Sequence, residues 1–488
     1  MMSLIRYGLI CGVLVLGSSA SIVSAQQAPQ LPEMGSTTTR VLSPEDERTF
    51  ARDIERYFRA IGVLIEDPII VDYMEDMGFR LVSHSSRNRG DFRFFVLRDP
   101  SINAFAAPAG VIGMFSGLIL LAEDESEVAG VVAHEIAHIT QDHLARAAEA
   151  AQQTSLPTML AALGLAIAAG MSGSGDAAGA ILMSGMGLAT QFQINHTRQS
   201  EAEADRIGIG LLARSGYDPL GMARFFERLN VRSRAMGQGP PEYLRTHPLT
   251  VNRVAEARQR ADQMTPSVMR DGELFHFVQA RLRVMMSQRP EQAIEFFETR
   301  LERQQRPPLA MNYGLALALI DARQLDRARP VVDALLEDNS QRQLFRLLEA
   351  DLLLAEGRLD ESIDLLAELY LEYAGSRAIT TQYASTLMHE PTTARAERAA
   401  AVLRHHLHDH PTDLAMTELH ARAADRAGDP VRAGEALAES YYLRGGLVEA
   451  IDQLERLLNR DDLDFYQRSR VTARINDWRS EQIQLARR

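Results

Sequence analysis

The sequence predicts a mostly α-helical protein in two folded parts: an α+β part with a small sheet, followed by an α-helical solenoid. Three observations carry that prediction. Aromatic and β-branched residues cluster in "DFRFFVL" (91–97) and "NAFAAPAGVIGMF" (103–115), while most of the chain follows helical spacing. Small residues recur about every 34 positions beyond residue 270. The chain has 488 residues, 46% hydrophobic and 24% charged, which suits two or three cored domains. Its formal net charge of -13 argues against nucleic acid as a partner.

Residues 1–25 read as a cleavable leader outside the fold. Arg6 precedes an apolar run from Tyr7 to Leu16, and Val23-Ser24-Ala25 fits a signal-peptidase site. The run is too short to cross a bilayer. Cys11, the only cysteine, lies within it. The mature chain is therefore expected to be exported, free of thiols and disulfides, and held together by its core; a bacterial periplasm is the natural compartment. Residues 26–42 are polar, hold Pro29 and Pro32, and read as a disordered lead-in. The first folded part is expected over 43–265. It opens at "SPEDERTF", with Ser43 as helix cap, Pro44 at the first helical position and Glu45, Asp46 and Glu47 in the opening turn. The strand at 91–97 and a hairpin turning at Pro108-Ala109-Gly110 make the sheet.

"VVAHEIAHITQDH" (131–143) carries the chemistry. Asp124 followed by Glu127 resembles a capping box, with Glu123 and Glu125 adding negative charge at a helix start. Val128, Val131, Val132, Ile136 and Ile139 give this helix a buried stripe. His134 and His138 are four apart, so both imidazoles project from one face and can reach a single ion. Glu135 lies roughly 100° around the helix, beside the open coordination position. A third ligand is needed, and "TRQSEAEADRIGIGLL" (197–212) supplies a second helix bearing acids. Glu201 and Asp205 share a face with Ile209 and Leu212, which assigns Glu201 as a ligand and Asp205 as the acceptor that orients a histidine. Glu203 points to the other side, and Gly208 and Gly210 let another helix approach closely. His143 is nine residues past His134, about half a turn around, so it cannot share the ion. Structural or solvent-exposed roles are expected for His143 and His196.

These residues resemble peptidase family M48, zinc metallopeptidases with HExxH followed by ExxxD on a later helix. The likeness runs from about Asp46 to Arg260. "NAFAAPAG" is similar to the family's edge strand before the active-site helix, and "THPLTVNR" matches its His-Pro followed by Arg, here His247 and Arg253. Ala109 stands where relatives usually carry Gly, which leaves the turn conformation open. The resemblance implies a zincin-like metalloendopeptidase with one Zn(2+) per chain, held by His134, His138 and Glu201, with Glu135 taking the proton of a water. The backbone of Asn103, Ala104, Phe105 and Ala106 would hold an extended substrate by strand addition. It leaves two roles open for His247: donating with Arg253 to the oxyanion, or plugging the open zinc position in self-inhibition.

Thr154 to Thr190 holds one charge, Asp176, and its apolar runs 158–171 and 177–189 are each shorter than a bilayer span. A close-packed helical hairpin, a lid over the zinc cleft, and a surface touching membrane or unfolded clients all fit. From 270 to 488, Ala293, Ala328, Ser362, Ala399 and Ala433 occupy one recurring position. Ala280, Ala316, Ala350, Ala384 and Ala421 occupy a second, which is the signature of tetratricopeptide repeats. An exported M48 peptidase with such repeats resembles a subgroup that serves assembly and quality control of outer-membrane β-barrel proteins. That implies two partners, unfolded or stalled outer-membrane protein precursors and the β-barrel assembly machinery, the latter met through the repeats, with peripheral membrane contact as an option. The rival class is a scaffold or chaperone acting through its repeats with a catalytically minor zinc site.

Overall fold

The structure is a computed structural model that describes residues 44–87, 90, 92–144, 146, 198–236, 241–265, 272–303, 308–338 and 341–487. The expected leader (1–25), lead-in (26–42), Ser43 cap, His196 and apolar insert (154–190) lie outside the described residues.

Helix α1 (Pro44–Ala60) lays Ala51, Ile54, Tyr57 and Phe58 against Leu97, Phe105, Val111 and Phe115 of the sheet. Helix α2 (Pro68–Val82) starts at Asp67, whose carboxylate accepts from the amides of Ile69 and Ile70. The sheet has β1 (Arg93–Leu97), β2 (Ala104–Ala107) and β3 (Val111–Phe115) in the order β1-β3-β2. Central β3 runs parallel to β1 and antiparallel to β2, with Arg93 opposite Val111 and Ala104 opposite Met114. The corner between β2 and β3 is a single 3₁₀ turn, Pro108–Gly110. Ala109 adopts φ 62 and ψ 26, and Gly110 φ 71. The turn thus keeps its left-handed form even with Ala at the first position, where a Cβ costs roughly 1–2 kcal/mol that Gly would spare.

After the short α3 (Ser116–Leu121), α4 (Glu125–Thr140) crosses the middle of the molecule. Asp124 caps it through the Glu127 amide at 3.1 Å, as the capping pattern predicts. The return bond differs: the Glu127 carboxylate accepts from the Glu123 amide instead of that of Asp124. Glu127 is fully buried and also takes two bonds from Arg228, which draw it inward. The expected apolar stripe is an under-reading. Every residue from Glu127 to His138 is buried, because α4 packs against α2, β2, α5 (Arg198–Arg214) and α6 (Leu220–Met236) at once. A Cβ on Gly208 of α5 would lie 3.2 Å from the His134 amide nitrogen, so this glycine admits α4. Gly210 does not share that role, since a Cβ there meets Arg214 of its own helix. Helices α7 (Glu242–Thr246) and α8 (Val251–Ala261) close this part.

The remainder is helical and stacks in pairs: α9 (Glu273–Met286) with α10 (Pro290–Glu302), α11 (Pro308–Asp321) with α12 (Leu325–Leu336), α13 (Arg342–Ala355) with α14 (Leu359–Glu372). Then come α15 (Arg377–Leu387) with α16 (Thr393–Asp409), α17 (Leu414–Arg426) with α18 (Pro430–Leu443), and α19 (Leu447–Leu458) with α20 (Phe465–Arg487). Ala280, Ala293, Ala316, Ala328, Ala350, Ser362, Ala384 and Ala399 are buried where paired helices meet. In one unit the two recurring positions touch, Ser362 Oγ donating to Ala350 O at 2.8 Å. The α17–α18 pair departs from the expected register. Ala421 and Ala433 are only half-buried, and Gly434 takes the buried place beside Leu457.

The boundary expected between 265 and 270 does not separate two cores. Phe275, Val278 and Leu282 of α9 share a core with Tyr73, Met74, Leu118 and Ile119, while Phe277 and Ala280 face the first repeat. A helix buried on two faces belongs to both parts. Polar ties add to it: Arg281 pairs with Asp67 at 2.7 Å, and Arg56 Nη2 donates to Tyr442 O at 2.9 Å. Among the described residues, no helix is long and apolar enough to cross a membrane.

Candidate metal centre

Four buried side chains converge from three places in the fold. His134 and His138 come from α4, Glu201 from the first turn of α5, and His247 from the residue that ends α7. Each offers one ligand atom, and these atoms lie within 4.8 Å of one another. His134 Nε2 is 2.9 Å from His138 Nε2 and 3.4 Å from His247 Nδ1, which in turn is 3.0 Å from Glu201 Oε1. Three imidazole nitrogens and one carboxylate oxygen so close together, away from water, are a nitrogen-and-oxygen donor set that suits zinc. Glu135 lies beside them with Oε1 buried and lacking a hydrogen-bond donor; His247 Nε2 is 3.6 Å from it. Burial raises the Glu135 carboxyl above its ordinary value, against the opposing pull of His247 and His134.

The surroundings hold the donors in place. His134 Nδ1 is 3.0 Å from Asp205 Oδ1, which leaves Nε2 to face the group. Arg253, in the first turn of α8 under the Thr250 cap, reaches back with every guanidinium nitrogen engaged. Nε and Nη2 donate to the two oxygens of Asp205 at 2.8 Å, and Nη1 donates to Pro248 O at 2.9 Å and lies 2.7 Å from Glu201 Oε2. Burial opposes charge on Asp205, but His134 and Arg253 outweigh it and hold its carboxyl below the usual range. The guanidinium, for which an oxyanion role is one expectation, here clamps two buried carboxylates.

His247 is fixed by Tyr243, four residues earlier, a residue the sequence reading missed. Its amide donates to Tyr243 O at 2.9 Å, and the two rings stack at 4.6 Å between centroids. Tyr243 N donates to Ile102 O, tying α7 to the segment ahead of β2. In that segment Asn103 is buried, and its Oδ1 accepts from Ala104 N at 2.9 Å. Ala104 and Phe105 are buried and Ala106 half-buried, with the Phe105 ring against Phe58 and Phe115. Among the described residues β2 pairs on one side only, with β3, and is the edge strand of the sheet.

His143 stays outside the four-ligand group, as expected, and of its two expected roles takes the structural one. It is 1% exposed, its Nδ1 lies 2.8 Å from His138 Nδ1, and its Nε2 lies 3.2 Å from Glu203 Oε2. Helical spacing places it half a turn away, but α4 ends at Thr140 and Asp142 turns left-handed at φ 49, which swings His143 back onto His138. Burial lowers the imidazole of His143 below its ordinary value, against the opposing pull of Glu203. Glu203 does point away from the four-ligand group, as expected, and meets His143 there.

The sequence pattern of peptidase family M48 matches residues 72–261. The β-barrel assembly-enhancing protease of Escherichia coli K12 is 33% identical over 462 residues, covering 94% of this chain and 93% of its own. The chain belongs to peptidase family M48. The protein of the same description from Yersinia pestis is 32% identical and covers 92% of this chain and 91% of its own. The M48 likeness also reaches the mitochondrial metalloendopeptidase OMA1 of Schizosaccharomyces pombe, 28% identical over 180 residues, 37% of this chain and 50% of its own. As an M48 peptidase the chain is a metalloendopeptidase, and the His134–His138–Glu201–His247 group is its candidate metal centre.

Proposed function

We propose that this M48 peptidase is a zinc endopeptidase of the periplasm that acts on unfolded or stalled outer-membrane β-barrel precursors and assists their assembly. The observation that carries the catalytic half is the buried donor group of His134, His138, Glu201 and His247 with Glu135 beside it. His134, His138 and Glu201 hold one zinc, which supplies Lewis acidity toward water and a peptide carbonyl. Glu135 takes the proton of the attacking water and hands it to the leaving amine, and burial, which raises its carboxyl, favours its holding that proton in between. Asp205 orients His134, and Arg253 keeps Asp205 and Glu201 ionised where they are buried. The β2 backbone at Asn103–Ala106 pairs with an extended substrate. The client class is supported by the relatives' description, shared over 94% of this chain, and the repeats are the surface through which clients or the assembly machinery are met.

His247 acts as a plug. Its Nδ1 already belongs to the four-atom group, and a neutral imidazole there occupies the position that substrate and water need.

Two variants test the reading. Glu135→Gln should keep wild-type zinc content and lose cleavage of an unfolded reporter; full complementation of a deletion strain by it would make scaffolding through the repeats the main function. His247→Ala should raise cleavage at full zinc occupancy. Lowered cleavage at full occupancy would return His247 to the oxyanion.

A further inference from the structure

A ligand histidine gives one ring nitrogen to the metal and needs the other held, so that it keeps one tautomer and one orientation. Asp205 does this for His134. For His138 the neighbour is a second histidine. The two Nδ1 atoms, 2.8 Å apart, can share only one proton. With the Nε2 lone pair of His138 directed at the donor group, that proton belongs to His138 Nδ1, and His143 Nδ1 accepts it. An imidazole that accepts at Nδ1 carries its proton on Nε2, where His143 donates to Glu203 Oε2 at 3.2 Å. The same carboxylate oxygen accepts from Arg146 at 3.1 Å, which keeps Glu203 an ionised acceptor. One arrangement of protons satisfies all three groups at once. His143 is buried, and the Glu203 side chain is 27% exposed at the outer end of the chain of contacts.

We propose that His143 and Glu203 are a positioning pair for His138: they fix its tautomer and ring angle and thereby set metal affinity. The pair mirrors Asp205 on His134, so each ligand histidine has its own anchor from the region around α5. The proposal rests on the zinc reading above, and its test separates the two.

The full-length apo chain is titrated with zinc against a chromophoric chelator, with thermal unfolding of the apo form and the visible spectrum of the Co(II) form read alongside. Wild type is expected to bind one zinc. His143→Leu removes the acceptor and should weaken zinc about 10- to 100-fold, with an altered Co(II) spectrum. His143→Asn offers Oδ1 where Nδ1 was and should recover most of the loss. Glu203→Ala frees the His143 tautomer and should lose about 3- to 10-fold while apo unfolding stays unchanged. A merely packing role moves the apo unfolding temperature and leaves zinc affinity alone. Wild-type affinity in His143→Leu overturns the pair and leaves the zinc site standing; a wild-type chain that binds no zinc overturns both. If His143→Leu fails to fold, Glu203→Ala decides: unchanged affinity overturns the proposal, and a loss at unchanged apo stability supports it.

Discussion

Arg253 is 6% exposed and holds two buried carboxylates, Asp205 and Glu201. Removing one partner of such a pair leaves buried charge uncompensated, a cost of about 3–5 kcal/mol. Arg253→Ala should therefore lower the unfolding free energy of the apo chain, followed by urea denaturation, by that amount and weaken zinc as well. Arg253→Lys keeps the charge but loses the two-pronged grip on Asp205, so it should recover only part. Equal stability of Arg253→Ala and wild type would remove the clamp. At this scale the sequence is legible wherever one helix decides the geometry. His134 and His138, and likewise Glu201 and Asp205, fall on shared faces because four residues make about one turn. His143 was illegible for the same reason: the spacing rule extends α4 past Thr140, whereas a left-handed Asp142 ends it. Arg253 was read as a site residue from its motif alone, and its partners depend on where α8 docks.

Among elements, α17 shows how the solenoid joins its units. Asp413 caps α17 by accepting from Met416 N, takes a bond from Arg377 of α15 at 2.8 Å, and lies 3.0 Å from His406 Nε2 of α16. Burial opposes its charge, but His406 and Arg377 outweigh it and hold the carboxyl at about 2. A depressed carboxyl adds stability above its unfolded value near 4, and loses it as pH falls through the folded value. Asp413→Asn should cost about 2 kcal/mol at pH 6–7. The gap to wild type should close as pH drops from about 4 toward 2, followed by denaturant midpoints. A gap that does not change with pH would mean the carboxylate's charge is not what joins these helices. The elements themselves were legible in order and type. Aromatic and β-branched clustering marks the strands but not the parallel pairing of β1 with β3, which needs α2 and the corner at Ala109 to be placed first. The repeat phase held through Ala399 and slipped by one position at Gly434, because Gly and Ala both satisfy a small-residue pattern.

For the whole molecule, the shared helix α9 decides where the peptidase ends. A fragment stopping at residue 265 uncovers the core against which Phe275, Val278 and Leu282 pack. Burial of such side chains is worth about 1.5–3 kcal/mol each. The fragment 43–287 should accordingly show a clearly higher urea midpoint than 43–265, and the shorter one should bind a hydrophobic dye. Matching midpoints would restore the boundary at 265–270. Composition alone hid this sharing, since a helix with apolar residues on two faces looks like any repeat helix until its neighbours are known.

The clasp between Arg56 and Tyr442 joins residues 386 positions apart. Chains grow from the N-terminus at roughly 5–20 residues per second, so about 20–80 s of synthesis separate the two halves of that contact. Throughout that interval α1 lacks this tie to the repeats, and α1 is the helix that lies over Phe105 of the edge strand. A growing chain holds every metal residue by His247, yet can join α1 to the repeats only after Tyr442 has been made.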